Sequence, residues 1–119
     1  MVAVVAALVG CAPPSIGRPV DIPDVLDESA GIGADPAVWE PPDTLTVVLG
    51  GSSSCPVTAT GIEEADGQVR ITLHRQAKPV CTLDLVLTPV AFELTEGRPD
   101  SVLLLLDGDE YELEVVDER

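Results

Sequence analysis

The feature that most restricts the folds open to this chain is a pair of cysteines, Cys55 and Cys81, set within a series of short runs in which apolar and polar residues alternate. Alternation at every second position sends successive side chains to opposite faces of a strand, so each run predicts a strand with one buried face. Leu45, Val47 and Leu49 alternate with Thr44, Thr46 and Val48, and Val69, Ile71 and Leu73 with Arg70, Thr72 and His74. Tyr111, Leu113 and Val115 alternate with Glu110, Glu112 and Glu114. Gly50-Gly51 ends the first of these runs or lets it bulge. A run from Val57 to Glu64 joins the Gln68 to Arg75 run through Asp66-Gly67, and Asp107-Gly108 joins Val102–Leu106 to Glu110–Val116. Asp-Gly between two such runs is a hairpin signal, because glycine reaches positive φ without steric cost. Cys81, Leu83, Leu85 and Leu87 share one face of a further run, which Thr88-Pro89 should end before a short strand from Val90 to Leu94. The leucines 103 to 106 read as a central strand buried on both sides. The expectation is an all-β domain over residues 43–119: a small antiparallel β-sandwich of about seven strands with one disulfide. It is immunoglobulin-like in architecture only, since Trp39 precedes both cysteines instead of lying between them.

A domain this small buries little surface, and only 3% of the chain is aromatic, so Val, Leu and Ile must supply the core. A bond from Cys55 to Cys81 encloses 25 residues and would stabilise the fold by roughly 3 to 4 kcal/mol on the chain-entropy account. Two free thiols or a metal pair are the alternatives. Zinc would want two further Cys or His ligands, and only His74 is on offer. No metal or cofactor is expected.

The N-terminal part reads as export and tethering. Val2 to Val9 is an unbroken apolar run, too short to cross a hydrocarbon layer some ~30 Å thick but long enough for the apolar region of a secretory signal. Leu8-Val9-Gly10-Cys11 resembles the lipobox of bacterial lipoprotein signal peptides, which implies cleavage after residue 10 and a diacylglyceryl group on the Cys11 thiol. No Lys or Arg precedes the run, which is expected either of a signal whose true start lies upstream of Met1 or of a segment that is a first strand with Cys11 as a buried thiol. Ala12-Pro13-Pro14 favours the signal, because strands rarely continue into Pro-Pro. Residues 11–42, rich in Pro, Gly, Asp and Ser, read as the lipidated cysteine and a tether, with Trp39 folding back on the sheet.

Gly50-Gly51-Ser52-Ser53-Ser54-Cys55-Pro56, followed by an acidic hairpin and by Val80-Cys81-Thr82-Leu83-Asp84, resembles small secreted or lipid-anchored actinobacterial proteins that carry a G-S-S-S-C-P segment and a later C-T-x-D segment. The similarity spans Trp39 to Leu94. It implies the disulfide, a β fold and an envelope location, and it implies no activity.

A net charge of −15 repels phosphate backbones and anionic head groups, which makes nucleic acid no expected partner and leaves hydrophobic or covalent attachment as the route to a membrane, here the covalent lipid on Cys11. Ser52, Ser53 and Ser54 with His74 and either Asp84 or Asp66 supply the residue types of a hydrolytic triad, and spacing in a β protein neither shows nor excludes their meeting. The serines fit better as a turn whose hydroxyls satisfy backbone groups, and His74 as a solvated side chain. Asp107-Gly108-Asp109-Glu110 lacks the spaced ligands of a calcium loop and reads as a hairpin turn. The stripe Glu110, Glu112, Glu114 reads as a solubilising face that keeps a terminal strand from edge pairing. The expected function is that of a non-catalytic binding or structural module, lipid-anchored on the extracytoplasmic side of the cell membrane, with an envelope protein as partner. Gly51, Ser52, Ser53 and Ser54 form its contact loop. The alternatives are an inhibitor of an envelope hydrolase acting through Gly50–Pro56, and a hydrolase.

Overall fold

The computed structural model describes residues 15–23, 36–76, 79–84 and 86–117. The apolar segment 1–10, Cys11 and Leu85 lie outside the described residues. Among the described residues there are eight strands: β1 (Arg18–Pro19), β2 (Ala37–Glu40), β3 (Thr44–Gly51), β4 (Val57–Ala65), β5 (Gln68–Arg75), β6 (Val86–Glu93), β7 (Ser101–Leu106) and β8 (Asp109–Asp117). They hydrogen bond in the single order β1-β6-β3-β2-β8-β7-β5-β4. The all-β class holds. The pairing is mixed, since β2 runs parallel to β8 and β5 parallel to β7. The sheet is continuous and curled, and one core fills its inner side.

That core is the alternating set read from the sequence. Leu45, Val47 and Leu49 of β3 meet Val69, Ile71 and Leu73 of β5, Val102, Leu104 and Leu106 of β7, and Leu113 and Val115 of β8, with Trp39 and Phe92 as its two buried aromatics. Both Asp-Gly turns have the backbone their sequence demands: Asp66 and Gly67 sit at φ 53° and 80°, and Asp107 and Gly108 at 53° and 84°. Positive φ at both central residues matches the right-handed twist of the strands on either side.

Four expectations are corrected. Sheet begins well before residue 43: Ala37–Glu40 is a strand between β3 and β8, and Arg18–Pro19 pairs with Val90 and Ala91. The described parts of the 11–42 tether therefore belong to the fold. The strand expected from Cys81 starts only at Val86, and Cys81 and Leu83 are exposed instead of facing the core. Thr88-Pro89 does not break β6, where Pro89 lies opposite Val48 of β3. The Pro89 carbonyl accepts the Val20 N–H at 3.1 Å, on the side away from β3. A residue's N–H and C=O point to the same side of a strand, so the missing proline N–H takes nothing from the β3 ladder. Finally, β8 is no edge: it lies between β2 and β7, and its glutamates solubilise an outer face without guarding a free rim.

The curl brings the two ends of the sheet, β1 and β4, almost together. The Ile16 N–H reaches across to the Ala59 carbonyl at 2.8 Å, and Ile16 packs against the core. Gly17 makes the approach possible. It sits at φ +83°, and a Cβ there would lie 2.5 Å from Val90 Cγ1 and 2.8 Å from Phe92 Cε1. Gly17→Ala is therefore expected to lower the free energy of unfolding by about 2 to 4 kcal/mol, from backbone strain and overpacking together. Gly97→Ala shares the positive φ but meets nothing within 4 Å, and should cost about 1 kcal/mol. Urea midpoints of the two variants provide the check, and equal losses would contradict the closure.

Candidate functional site

The two halves of the curled sheet, β1-β6-β3-β2 and β8-β7-β5-β4, are joined by three connections that cross between them. Two, from β3 to β4 and from β5 to β6, leave the sheet at the same end. Cys55 lies on the first and Cys81 on the second, and a disulfide joins them with their Cα atoms 5.6 Å apart. Cys55 is buried and Cys81 exposed, so the bond ties a covered loop to an open one.

Hydroxyl groups reinforce the bond. Ser52 Oγ accepts the N–H of Ser54 at 3.2 Å and of Cys55 at 3.1 Å, which closes the serine turn on itself. The Thr82 N–H donates to Ser54 Oγ at 2.9 Å, and Thr82 Oγ1 lies 2.9 Å from Ser52 Oγ. The Thr82 hydroxyl donates in turn to the Asp84 carboxylate, which also accepts the Ser53 N–H at 3.3 Å. These donors, Thr82 first and Ser53 after it, lower the Asp84 pKa to about 2. Serine-rich turn and Cys81 loop thus make one surface, cross-linked by sulfur at one point and by hydroxyls at several.

The residues of a hydrolytic triad are not assembled. His74 lies on β5 opposite Thr58, and no hydrogen bond among the described residues joins it to Ser52, Ser53, Ser54, Asp84 or Asp66. Asp66 occupies the turn at the far end of β5, about 25 Å along the strand at ~3.3 Å per residue. Asp107 is committed to its turn and to Arg75, 3.0 Å away, and no three His, Cys, Asp or Glu among the described residues converge as a metal would need.

The third crossing, from β6 to β7, is held at the opposite end by residues the sequence did not single out. The Glu64 carboxylate accepts the N–H of Thr95 and of Glu96 at 3.0 and 2.9 Å and the Thr95 hydroxyl at 3.2 Å. Its slight desolvation raises the pKa, but these donors together outweigh it and the net shift is downward. Arg98 Nε donates to Asp117 at 2.8 Å and its Nη2 to the Val115 carbonyl at 3.1 Å.

Beside the serine turn a cleft of about 170 Å³ opens between Leu49, Ser52, Val57 and Val86, below the size usual for a small-molecule site. Larger hollows lie elsewhere: about 390 Å³ along the β1–β4 seam, and about 600 Å³ by the Asp66 turn. No protein-family model, curated protein or solved structure matches the chain.

Two outcomes follow from the staple. Replacing both cysteines by alanine should cost about 3 to 4 kcal/mol of stability in denaturant unfolding, and an unchanged midpoint would contradict it. Because the Asp84 pKa is depressed, its clamp is present above the unfolded value near ~3.9 and is lost as pH falls through about 2. Carboxyl NMR of Asp84 should show that low midpoint, and Thr82→Val should return it toward the ordinary range; an ordinary midpoint in the unsubstituted chain would contradict the clamp.

Proposed function

We propose that this chain is an exported, lipid-anchored protein whose all-β domain is a non-catalytic binding module at the cell envelope. The observation that carries the reading is the Cys55–Cys81 bond between two surface crossings. A structural disulfide persists in an oxidising compartment, and the lipobox-like Leu8 to Cys11 segment supplies a route to one. Cys11 carries the lipid, and two or more acyl chains hold a protein stably in a bilayer. With a net charge of −15, the domain itself stands off anionic head groups and nucleic acid, so its partner is an envelope protein.

The contact surface on this reading is the serine turn, Gly51 to Ser54, together with the loop from Pro79 to Asp84 that is bonded to it. An inhibitor of an envelope hydrolase would use the same surface. A hydrolase is disfavoured, because the serine hydroxyls are spent on the turn, on Thr82 and on Asp84, and no hydrogen bond among the described residues joins them to His74.

Mass measurement of the mature protein tests the location. Loss of residues 1–10, an added diacylglyceryl group on Cys11 and a deficit of two hydrogens are expected. An unlipidated product retaining residues 1–10, with Cys55 and Cys81 titratable as thiols, would contradict the reading.

A further inference from the structure

Leu83 is held out in water by the structure around it. Its exposure is 103% and that of Val80, on the same loop, is 80%, while most large apolar side chains of the described residues are in the core. The clamp sets its direction. Thr82 and Asp84, the residues on either side, are both turned onto the serine turn, which leaves Leu83 to point away from the protein. Cys81 anchors the chain two positions upstream. Pro79 to Asp84 are all exposed, and none of their backbone groups pairs with another backbone group among the described residues. The Thr82 N–H is spent on Ser54 Oγ, and no backbone pairing with a described residue competes with a partner chain for the carbonyls of the loop.

We propose that the Pro79 to Asp84 loop is a substrate-like inhibitory loop for a serine endopeptidase with an apolar primary pocket, which Leu83 fills. The inference rests on the binding-module reading and names its partner. Such a loop needs a backbone fixed before binding, so that little conformational freedom is lost on docking, and one side chain at its crest to enter a pocket; Leu83 lies at a bend between Thr82 and Asp84. It also needs anchors on both sides of one peptide bond, and Leu83–Asp84 has them. Thr82 on the acyl side and Asp84 on the amine side are both bonded to the serine turn and to each other across that bond. A bilayer is the poorer partner, because Asp84 lies next to Leu83 and the whole chain is strongly anionic.

The chemistry explains why the loop would block instead of being consumed. The endopeptidase serine hydroxyl adds to the Leu83 carbonyl carbon and gives its proton to that enzyme's general base. Collapse breaks the Leu83–Asp84 C–N bond, delivers the proton to the Asp84 nitrogen and leaves Leu83 as an ester on the enzyme. The Asp84 amine is held in place by its carboxylate's bonds to Ser53 and Thr82. It re-adds to the ester, restoring the peptide bond and the serine hydroxyl faster than water can intervene.

The test titrates the full oxidised chain against chymotrypsin and subtilisin, whose pockets are apolar, and against trypsin, whose pocket is acidic. Stoichiometric inhibition of at least one of the first two, with the loop remaining intact, is expected. Leu83→Gly should weaken it by about 100-fold, and Leu83→Lys should transfer it to trypsin. Urea midpoints and an intact disulfide show that each variant is folded, since residue 83 is fully exposed. Rapid cleavage at Leu83–Asp84 without inhibition, or no inhibition of either enzyme, would overturn the proposal. Leu83-dependent binding to phosphatidylglycerol vesicles in place of inhibition would overturn it too. Lipidation at Cys11 with Leu83-dependent capture of a partner that is not a protease would overturn it and leave the binding-module reading in place.

Discussion

The structure depends on how a single curled sheet is kept from opening. Its inner face carries a largely aliphatic core, but among the described residues its two halves share only one ladder, the short parallel pairing of β2 with β8, where Ala37, Val38 and Trp39 lie opposite Val115, Val116 and Asp117. The other restraints on the curl include the crossing connections and a contact between the ends of the sheet. The Cys55–Cys81 bond ties two crossings to each other at one end, Glu64 and Arg98 hold the third at the other, and Ile16 bridges the seam. A bond placed there limits the open and unfolded ensembles more than it adds to the packed interior, which fits a small domain with few aromatics.

Much of this was legible in the sequence, and the limits of legibility have physical causes. Period-two alternation marked β5 and β8 well, because each has one face toward the core and one toward water: Val69, Ile71 and Leu73 are buried while Arg70 and Thr72 are exposed. Hairpins at Asp66-Gly67 and Asp107-Gly108 were readable because only a few residues tolerate positive φ. Alternation tells only part of the burial where a strand is covered on both faces. Ala37, Val38 and Trp39 are buried in succession, and in β3 Thr46 and Val48 are buried as well as Leu45 and Val47, so neither strand shows one wet face. A two-residue strand such as Arg18–Pro19 has no period to read. The leucines at 83 and 87 continued the alternation of Cys81 by coincidence of spacing. A pattern cannot distinguish a residue that faces a core from one that is held away from it.

The site shows a similar division. Both cysteines and the serine turn stood out from composition and spacing, and the pairing is as expected. Thr82 was not singled out as part of the site, and Asp84 appeared only as one candidate to orient a histidine. Their role exists only once the disulfide brings residues 82 and 84 within reach of residues 52 to 54, a contact of long sequence separation. Polar side chains in that arrangement are spent on one another and hold the hydroxyl-rich turn to the Cys81 loop. What the scaffold presents is apolar and exposed, on a chain whose remaining surface is strongly acidic.

The central claim is that sulfur and hydroxyl cross-links hold the exposed loop in one conformation before any partner arrives. Amide hydrogen exchange at Thr82 measures this most directly, because that N–H belongs to the open loop and donates only to a side-chain oxygen of the serine turn. In the oxidised chain the Thr82 amide should exchange far more slowly than in a free peptide, and should lose that protection when the disulfide is reduced. Exchange at the free-peptide rate in the oxidised chain would contradict the account.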